Sequence, residues 1–286
     1  MALAMIHRFN TEVTGMKKLP GKATKLLFMV LALCTGVSSA AENPRGSAIS
    51  GAEIVDLSHA YGENTIYWPT SPSAFELETL AHGETEGGYF YASNAFSTPE
   101  HGGTHMDAPI HFGEGRQTVD EIPVERLVAP AVVIDVSEAA AKDPDYVLLP
   151  ADIERWEKTH GRIPEHAIVV LRTGWESRWG EVAAYLGDDT PGDASGLHFP
   201  SFGAEAAELL VKERNITGIG VDTASIDNGP SRDFMVHRIT AAANVYGLEN
   251  LMNLERLPAT GATIIALPMK IAGGSGAPVR VIALLP

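Results

Sequence analysis

The chain has a single cysteine, Cys34, and it falls in a segment that export would remove. Lys17, Lys18, Lys22 and Lys25 precede a short apolar run, Leu26 to Leu33, followed by the small residues Val37-Ser38-Ser39-Ala40-Ala41. A basic start, a brief apolar core and a small-residue exit make a secretory signal. Residues 1–40 are therefore read as a leader, with Met1 or Met16 as its start. The run is too short to span a bilayer, which takes about 20 apolar residues. Leu33 stands where a lipoprotein signal needs a small residue, which argues against a lipid on Cys34. With the leader gone no cysteine remains, so disulfides, thiolate zinc sites and a cysteine nucleophile are excluded together. The expected destination is the periplasm or the exterior, with no membrane attachment after cleavage.

Basic residues are scarce as well: 21 Lys and Arg stand against 36 Asp and Glu. Losing residues 1–40 removes five basic residues and one acidic one, and takes the net charge from -15 to -19. Such a chain has no electrostatic footprint for nucleic acid or an anionic membrane. No repeat, heptad pattern or low-complexity tract interrupts residues 41–286, which are read as one domain. No G-x-S-x-G is present, since Gly273-Gly-Ser-Gly-Ala277 fails at its last position. No G-x-G-x-x-G is present either, since Val279 stands where Gly274-Ser-Gly276 would need its third glycine. The Gly-Ser run reads instead as a turn near a pocket.

What is present is a set of short β-branched runs. Glu53 to Ser58, Ala131 to Val136, Ala167 to Arg172 and Ile216 to Asp222 read as strands, as do Thr263 to Leu267 and Val279 to Leu284. Helical patterns lie at Pro150–His160 and Phe202–Glu213, the second stopping before Asn215. Residues 61–91 read as an irregular cover over a pocket, because Tyr61, Tyr67, Trp68, Phe75, Tyr89, Phe90 and Tyr91 gather there. Asp188 to Pro200 reads as a surface loop. The pattern predicts an α/β fold with a mixed sheet.

The densest polar cluster is His101-Gly-Gly-Thr-His105-Met-Asp107-Ala-Pro-Ile-His111-Phe, with three histidines and an aspartate at offsets 0, 4, 6 and 10. A helix would throw Asp107 away from the first two histidines, and Gly102, Gly103 and Pro109 disfavour one. On an extended chain every offset is even, so all four side chains can share a face. The glycines let the backbone bend around a small central object. Two imidazoles and a carboxylate converging on one point describe a divalent metal site with open positions.

This stretch resembles the signature of the cyclase family of metal-dependent hydrolases, which includes bacterial kynurenine formamidases and isatin hydrolases. The similarity runs from Ile54-Val55-Asp56-Leu57-Ser58 to Leu267-Pro268-Met269-Lys270 and Pro278-Val279-Arg280. It implies a swivelling α/β domain with a mixed, barrel-like sheet and flanking helices, usually dimeric. It implies that His101, His105 and Asp107 bind metal and that His111 is the acid/base. In some members a second ion shares the aspartate, and His237 and Glu249 match the positions that complete its shell. Trp68, in Trp68-Pro69, matches a substrate-contacting tryptophan.

The chemistry follows from these groups. A divalent cation brings the pKa of bound water from 15.7 to about 7, which supplies a nucleophile for an amide carbonyl. His111 is then free to protonate the leaving nitrogen. Nitrogen and oxygen ligands suit Mn2+ or Zn2+, one ion or two. Three readings stay open: opening of a small aromatic cyclic amide of the isatin type, arylformamidase action on N-formylkynurenine, and a non-catalytic periplasmic metal- or ligand-binding protein. A spare base at His111 speaks against the third. The leader, the inserts around 61–91 and 186–200, and the Gly-Gly-Ser-Gly-Ala-Pro-Val-Arg ending incline the reading to the first.

Overall fold

The segment Ile168-Val169-Val170-Leu171 is apolar at every position because both its faces are buried. In the computed structural model, which describes residues 51–286, Ile168 and Val170 face the inside of a barrel. Val169 and Leu171 face a layer of helices. A strand enclosed on both sides reads as a continuous apolar run rather than as an alternation.

In chain order the strands are β1 (Ile54–Asp56), β2 (Glu76–Glu84), β3 (Phe90–Ser97), β4 (His105–Asp107), β5 (Val128–Asp135) and β6 (Val147–Leu148). They continue with β7 (Ile168–Arg172), β8 (Ser201–Phe202), β9 (Gly218–Val221), β10 (Tyr246–Glu249), β11 (Thr263–Pro268) and β12 (Gly276–Leu284). The helices are α1 (Ser137–Ala140), α2 (Pro150–His160), α3 (Val182–Leu186), α4 (Ala204–Arg214) and α5 (Met235–Ala242). The main sheet runs β12-β11-β5-β7-β9-β10-β4, and β4 pairs back onto β12 to close the ring, with β1 added on β12. The half made of β5, β7, β9 and β10 is parallel, and β4, β12 and β11 run antiparallel to their neighbours. The mixed sheet is the one the run pattern predicts, and its barrel-like closure with flanking helices is what the family resemblance implies.

Helices α2 and α4 lie on the parallel half, where Ile153, Trp156, Ala206 and Leu210 pack on Val132, Val169 and Leu171. Local chemistry sets their limits. Pro150 opens α2, and the Asp152 carboxylate accepts from the Leu149 N–H at 2.9 Å, satisfying a donor the helix leaves free. Gly161 ends it at φ 89°, and Asn215 ends α4 at φ 51°.

Two expectations need correction. Residues 61–91 are not irregular throughout, because β2 and β3 form a hairpin from Glu76 to Ser97. Most residues of its strands are exposed and none is buried, so no buried face imposes the alternation by which strands are recognised. The loop Asp188 to Pro200 is not wholly on the surface: Leu197 and Phe199 are buried with Trp175 and Tyr185. The leader read in residues 1–40 lies outside the described residues.

Candidate metal centre and active site

The site is built on the seam where the barrel closes. Strand β4 is hydrogen-bonded on both sides, with His105 opposite Glu249 of β10 and Asp107 opposite Gly247 of β10 and Gly276 of β12. Met106, between them, points into the barrel core. His105, Asp107 and Glu249 therefore share the outer face, by the period of two that governs every strand. Only His105 and Asp107 sit on this strand. His101 precedes it across Gly102 and Gly103, which lie at φ 152° and 57°, and His111 closes a 3-10 turn begun by Pro109. The four groups thus converge around a curved backbone rather than along one extended segment. Tyr67 and Tyr61 press against Gly102 and Gly103, so closely that a Cβ on either glycine would overlap a ring.

Asp107 is the hub. Its Oδ1 lies 2.7 Å from His101 Nδ1 and 3.2 Å from His105 Nε2, and its Oδ2 lies 3.1 Å from His237 Nε2. Glu249 approaches His105 Nε2 at 3.4 Å and His237 Nε2 at 3.3 Å. Among the described residues, two overlapping groups could hold a metal ion: His101, Asp107 and His111, and His105, Asp107 and Glu249, with ligand atoms in each within 4.8 Å of one another. Asp107 belongs to both. His237 comes from the first turn of α5, which packs against the Pro109–His111 turn. His111 also stacks on His101 with ring centroids 3.8 Å apart, so it is a neighbour of the ligand group and not remote from it.

The electrostatics ask for a cation. Asp107 and Glu249 are both buried, and no Lys or Arg lines the cavity around them. Burial works against the Asp107 carboxylate, yet the charges of His101 and His111, with hydrogen bonds from His101 and His105, hold its pKa well below the usual range. Burial likewise opposes charge on His105, but Asp107, Glu249 and the Gly103 carbonyl lift its pKa to about 9. Glu249 is pushed up, first by burial and then by the charge of Asp107. Imidazoles that would take up protons here are standing in for the positive charge that buried carboxylates require. A divalent ion would replace those protons, and the donor set of imidazoles and carboxylates fits one.

The outer nitrogens are held as well. His105 Nδ1 lies 3.0 Å from the Gly103 carbonyl, and His237 Nδ1 lies 2.6 Å from Asp227 Oδ2, so each turns its Nε2 to the centre. Asp227 also accepts from the Val236 and His237 N–H groups at the start of α5, both at 3.0 Å. His111 is different: it is exposed at the cavity mouth, and the burial of part of its ring, helped by the neighbouring imidazoles against Asp107, lowers its pKa to about 4.

The cavity measures about 260 Å³ and is walled by Ile66, Tyr67, Trp68, Phe112 and Phe234. Trp68 meets Phe199 edge-on at 6.4 Å and Phe234 at 6.3 Å. All six site residues named from the sequence, together with Trp68, line this one cavity. Phe234, Ser225, Asn250 and Asp227 were not found by sequence reasoning. Asn250 donates to the Gly103 carbonyl at 2.7 Å and so fixes the glycine bend. Its signal was present only as the residue following Glu249.

The family model described as a cyclase matches residues 55–228. The chain belongs to the cyclase family. It is 36% identical over 248 residues to an isatin hydrolase of Roseibium aggregatum, covering 82% of this chain and 92% of that protein. A solved isatin hydrolase bound to the product analogue thioisatinate superposes with a TM-score of 0.78 at 35% identity, covering 87% of this chain and 99% of the other. A kynurenine formamidase of Salinibacter ruber is 27% identical, over 80% of this chain and 96% of that one. Within the family this chain is a hydrolase.

Proposed function

We propose that the protein is a metal-dependent amidohydrolase that opens a small aromatic cyclic amide of the isatin type to the corresponding acid. The observation that carries this reading is the 36% identity to an isatin hydrolase over 82% of this chain and 92% of that one. An aromatic-walled cavity beside the carboxylate–imidazole cluster supports it. His101, His105 and Asp107 would hold one divalent ion, Mn2+ or Zn2+, and His237 and Glu249 with the shared Asp107 would hold a second. When bound, the cation supplies a nucleophile from water near neutral pH and polarises the scissile carbonyl.

The residues of the chain do the rest. Trp68, Phe112 and Phe234 offer flat apolar walls to a fused ring and narrow the access of bulk water. His111, neutral at pH 7 with its pKa near 4, takes a proton from the attacking water and returns it to the leaving nitrogen as the C–N bond breaks. Water is divided between the new carboxyl group and the freed amine, so atoms balance. The test is turnover of isatin, followed by loss of its absorbance, beside N-formylkynurenine under the same conditions. Faster cleavage of isatin supports the reading, and cleavage of N-formylkynurenine alone moves the assignment to an arylformamidase, the reading favoured by the kynurenine formamidase relative. Tight metal uptake without turnover of either would leave a binding protein.

The leader in residues 1–40 supports export to the periplasm or beyond, with cleavage near Ala41. A homodimer is the assembly we favour. The hairpin β2–β3 exposes Leu77, Leu80, Phe90, Tyr91 and Phe96, each more than half accessible. The outer face of the antiparallel half carries Ile54, Val128 and Leu267, also exposed. A second copy would cover surfaces of this kind.

A further inference from the structure

Two of the inner imidazoles have unambiguous outer partners, because a carbonyl and a carboxylate can only accept. His101 does not. Its Nδ1 faces Asp107 at 2.7 Å, and its Nε2 faces the Ser275 hydroxyl at 2.9 Å. A hydroxyl both donates and accepts, so that contact alone leaves the ring's proton unassigned. The next link assigns it. Ser275 Oγ lies 2.5 Å from Glu100 Oε2, and the Ser275 N–H donates to the same oxygen at 3.0 Å. A carboxylate has no proton to give, so the single hydroxyl hydrogen of Ser275 points at Glu100. The lone pair left on Oγ then faces His101, which must present Nε2–H. Nδ1 is then the nitrogen turned to Asp107 and the centre, where a bound cation would take the place of its proton.

The turn that carries Ser275 is built for this contact. Gly273-Gly274-Ser275-Gly276 joins the end of β11 to β12, and it is fastened to the motif by Ala108 N–H to the Ser275 carbonyl and Val119 N–H to the Gly274 carbonyl, both at 2.9 Å. A Cβ on Gly274 would come within 2.9 Å of the Glu100 carboxylate, and one on Gly276 within 2.5 Å of His101 Cε1. Glycine on either side of the serine makes the room that the carboxylate and the imidazole occupy.

We infer that Glu100 and Ser275 are positioning residues that lock His101 in the tautomer that offers Nδ1 to the metal, whereas His105 and His237 offer Nε2. The inference rests on the metal-site reading above but is tested apart from turnover. Hydrogen-bonded partners behind a ligating histidine typically affect metal affinity by about 10–100-fold. Ser275→Ala and Glu100→Ala should weaken zinc binding by calorimetry by about that factor, and Ser275→Thr, which keeps the hydroxyl, should recover most of it. Long-range proton–nitrogen NMR spectra should show a proton on His101 Nε2 in both the metal-free and the zinc-loaded parent, and a proton on Nδ1, facing Asp107, only in the metal-free form. The Nε2 proton that faces Ser275 is read in the metal-free spectrum even if the parent takes up no zinc, an outcome that would sink the metal-site reading alone. A metal-free parent with no proton on His101 Nε2, a zinc-loaded parent with the metal on Nε2, or a Ser275→Ala variant with unchanged zinc affinity overturns the inference.

Discussion

Asp107 touches every imidazole of the inner cluster except His111, and each consequence of the site passes through it. Asp107→Ala should abolish bound metal, measured by elemental analysis, and activity with it; full metal occupancy in that variant would contradict the assignment. His111→Ala should keep near-normal metal content while kcat falls by about 10²–10⁴-fold. Metal lost in proportion to activity would instead make His111 a ligand, consistent with its place in one of the two ligand groups, and His237 would become the first candidate for proton transfer. The four groups from His101 to His111 were legible because they sit within eleven residues beside glycines and a proline. His237 and Glu249 were reachable only through family resemblance, since the fold brings them from more than a hundred residues away. Glu100, Asp227 and Ser275 act through hydrogen bonds that exist only after folding, and no spacing announces them.

At the scale of elements, the same physics decided what could be read. Strands enclosed between the barrel interior and the helices leave continuous apolar runs, and β5, β7 and β9 were found within a few residues of their ends. The three-residue β4, the glycine-containing β10 and the eight-residue α5 are too short for a periodic signal, yet they carry His105, Asp107, Glu249 and His237. Elements are also joined by stacked rings. His59, three residues after β1, lies flat on Trp179 at 3.8 Å, and its buried Nε2 has no partner. Burial lowers its pKa from the ordinary 6.5 to about 4. The unfolded chain therefore takes the proton first: the contribution of this contact is whole above pH 6.5 and is lost as pH falls toward 4. His59→Phe keeps the stack without the proton, so its Tm should fall less between pH 7 and pH 5 than that of the parent. Equal slopes would show that the burial of His59 has no such consequence.

At the scale of the whole molecule, the mixed sheet was foreseen from the run pattern, whereas closure into a barrel was not readable from it. Closure depends on β4 pairing with both β10 and β12, strands far from it in sequence. That closure is also what creates the site, because it sets Glu249 and the Ser275 turn on either side of the motif. The exposed hairpin yields a prediction about assembly. Leu77 and Phe96 are cross-strand partners, so Leu77→Lys with Phe96→Lys places two like charges on the apolar surface that the homodimer would cover. Light scattering should show a dimer for the parent and a monomer for the double variant; a parent that is monomeric at micromolar concentration would remove the proposed assembly.

The most direct test of the central claim is metal titration of turnover. Protein stripped with a chelator should lose isatin hydrolysis, and Mn2+ or Zn2+ should restore it with an end point of one or two ions per chain. Full activity in the stripped protein, with no ion detectable by elemental analysis, would contradict the claim that His101, His105 and Asp107 work by holding a metal.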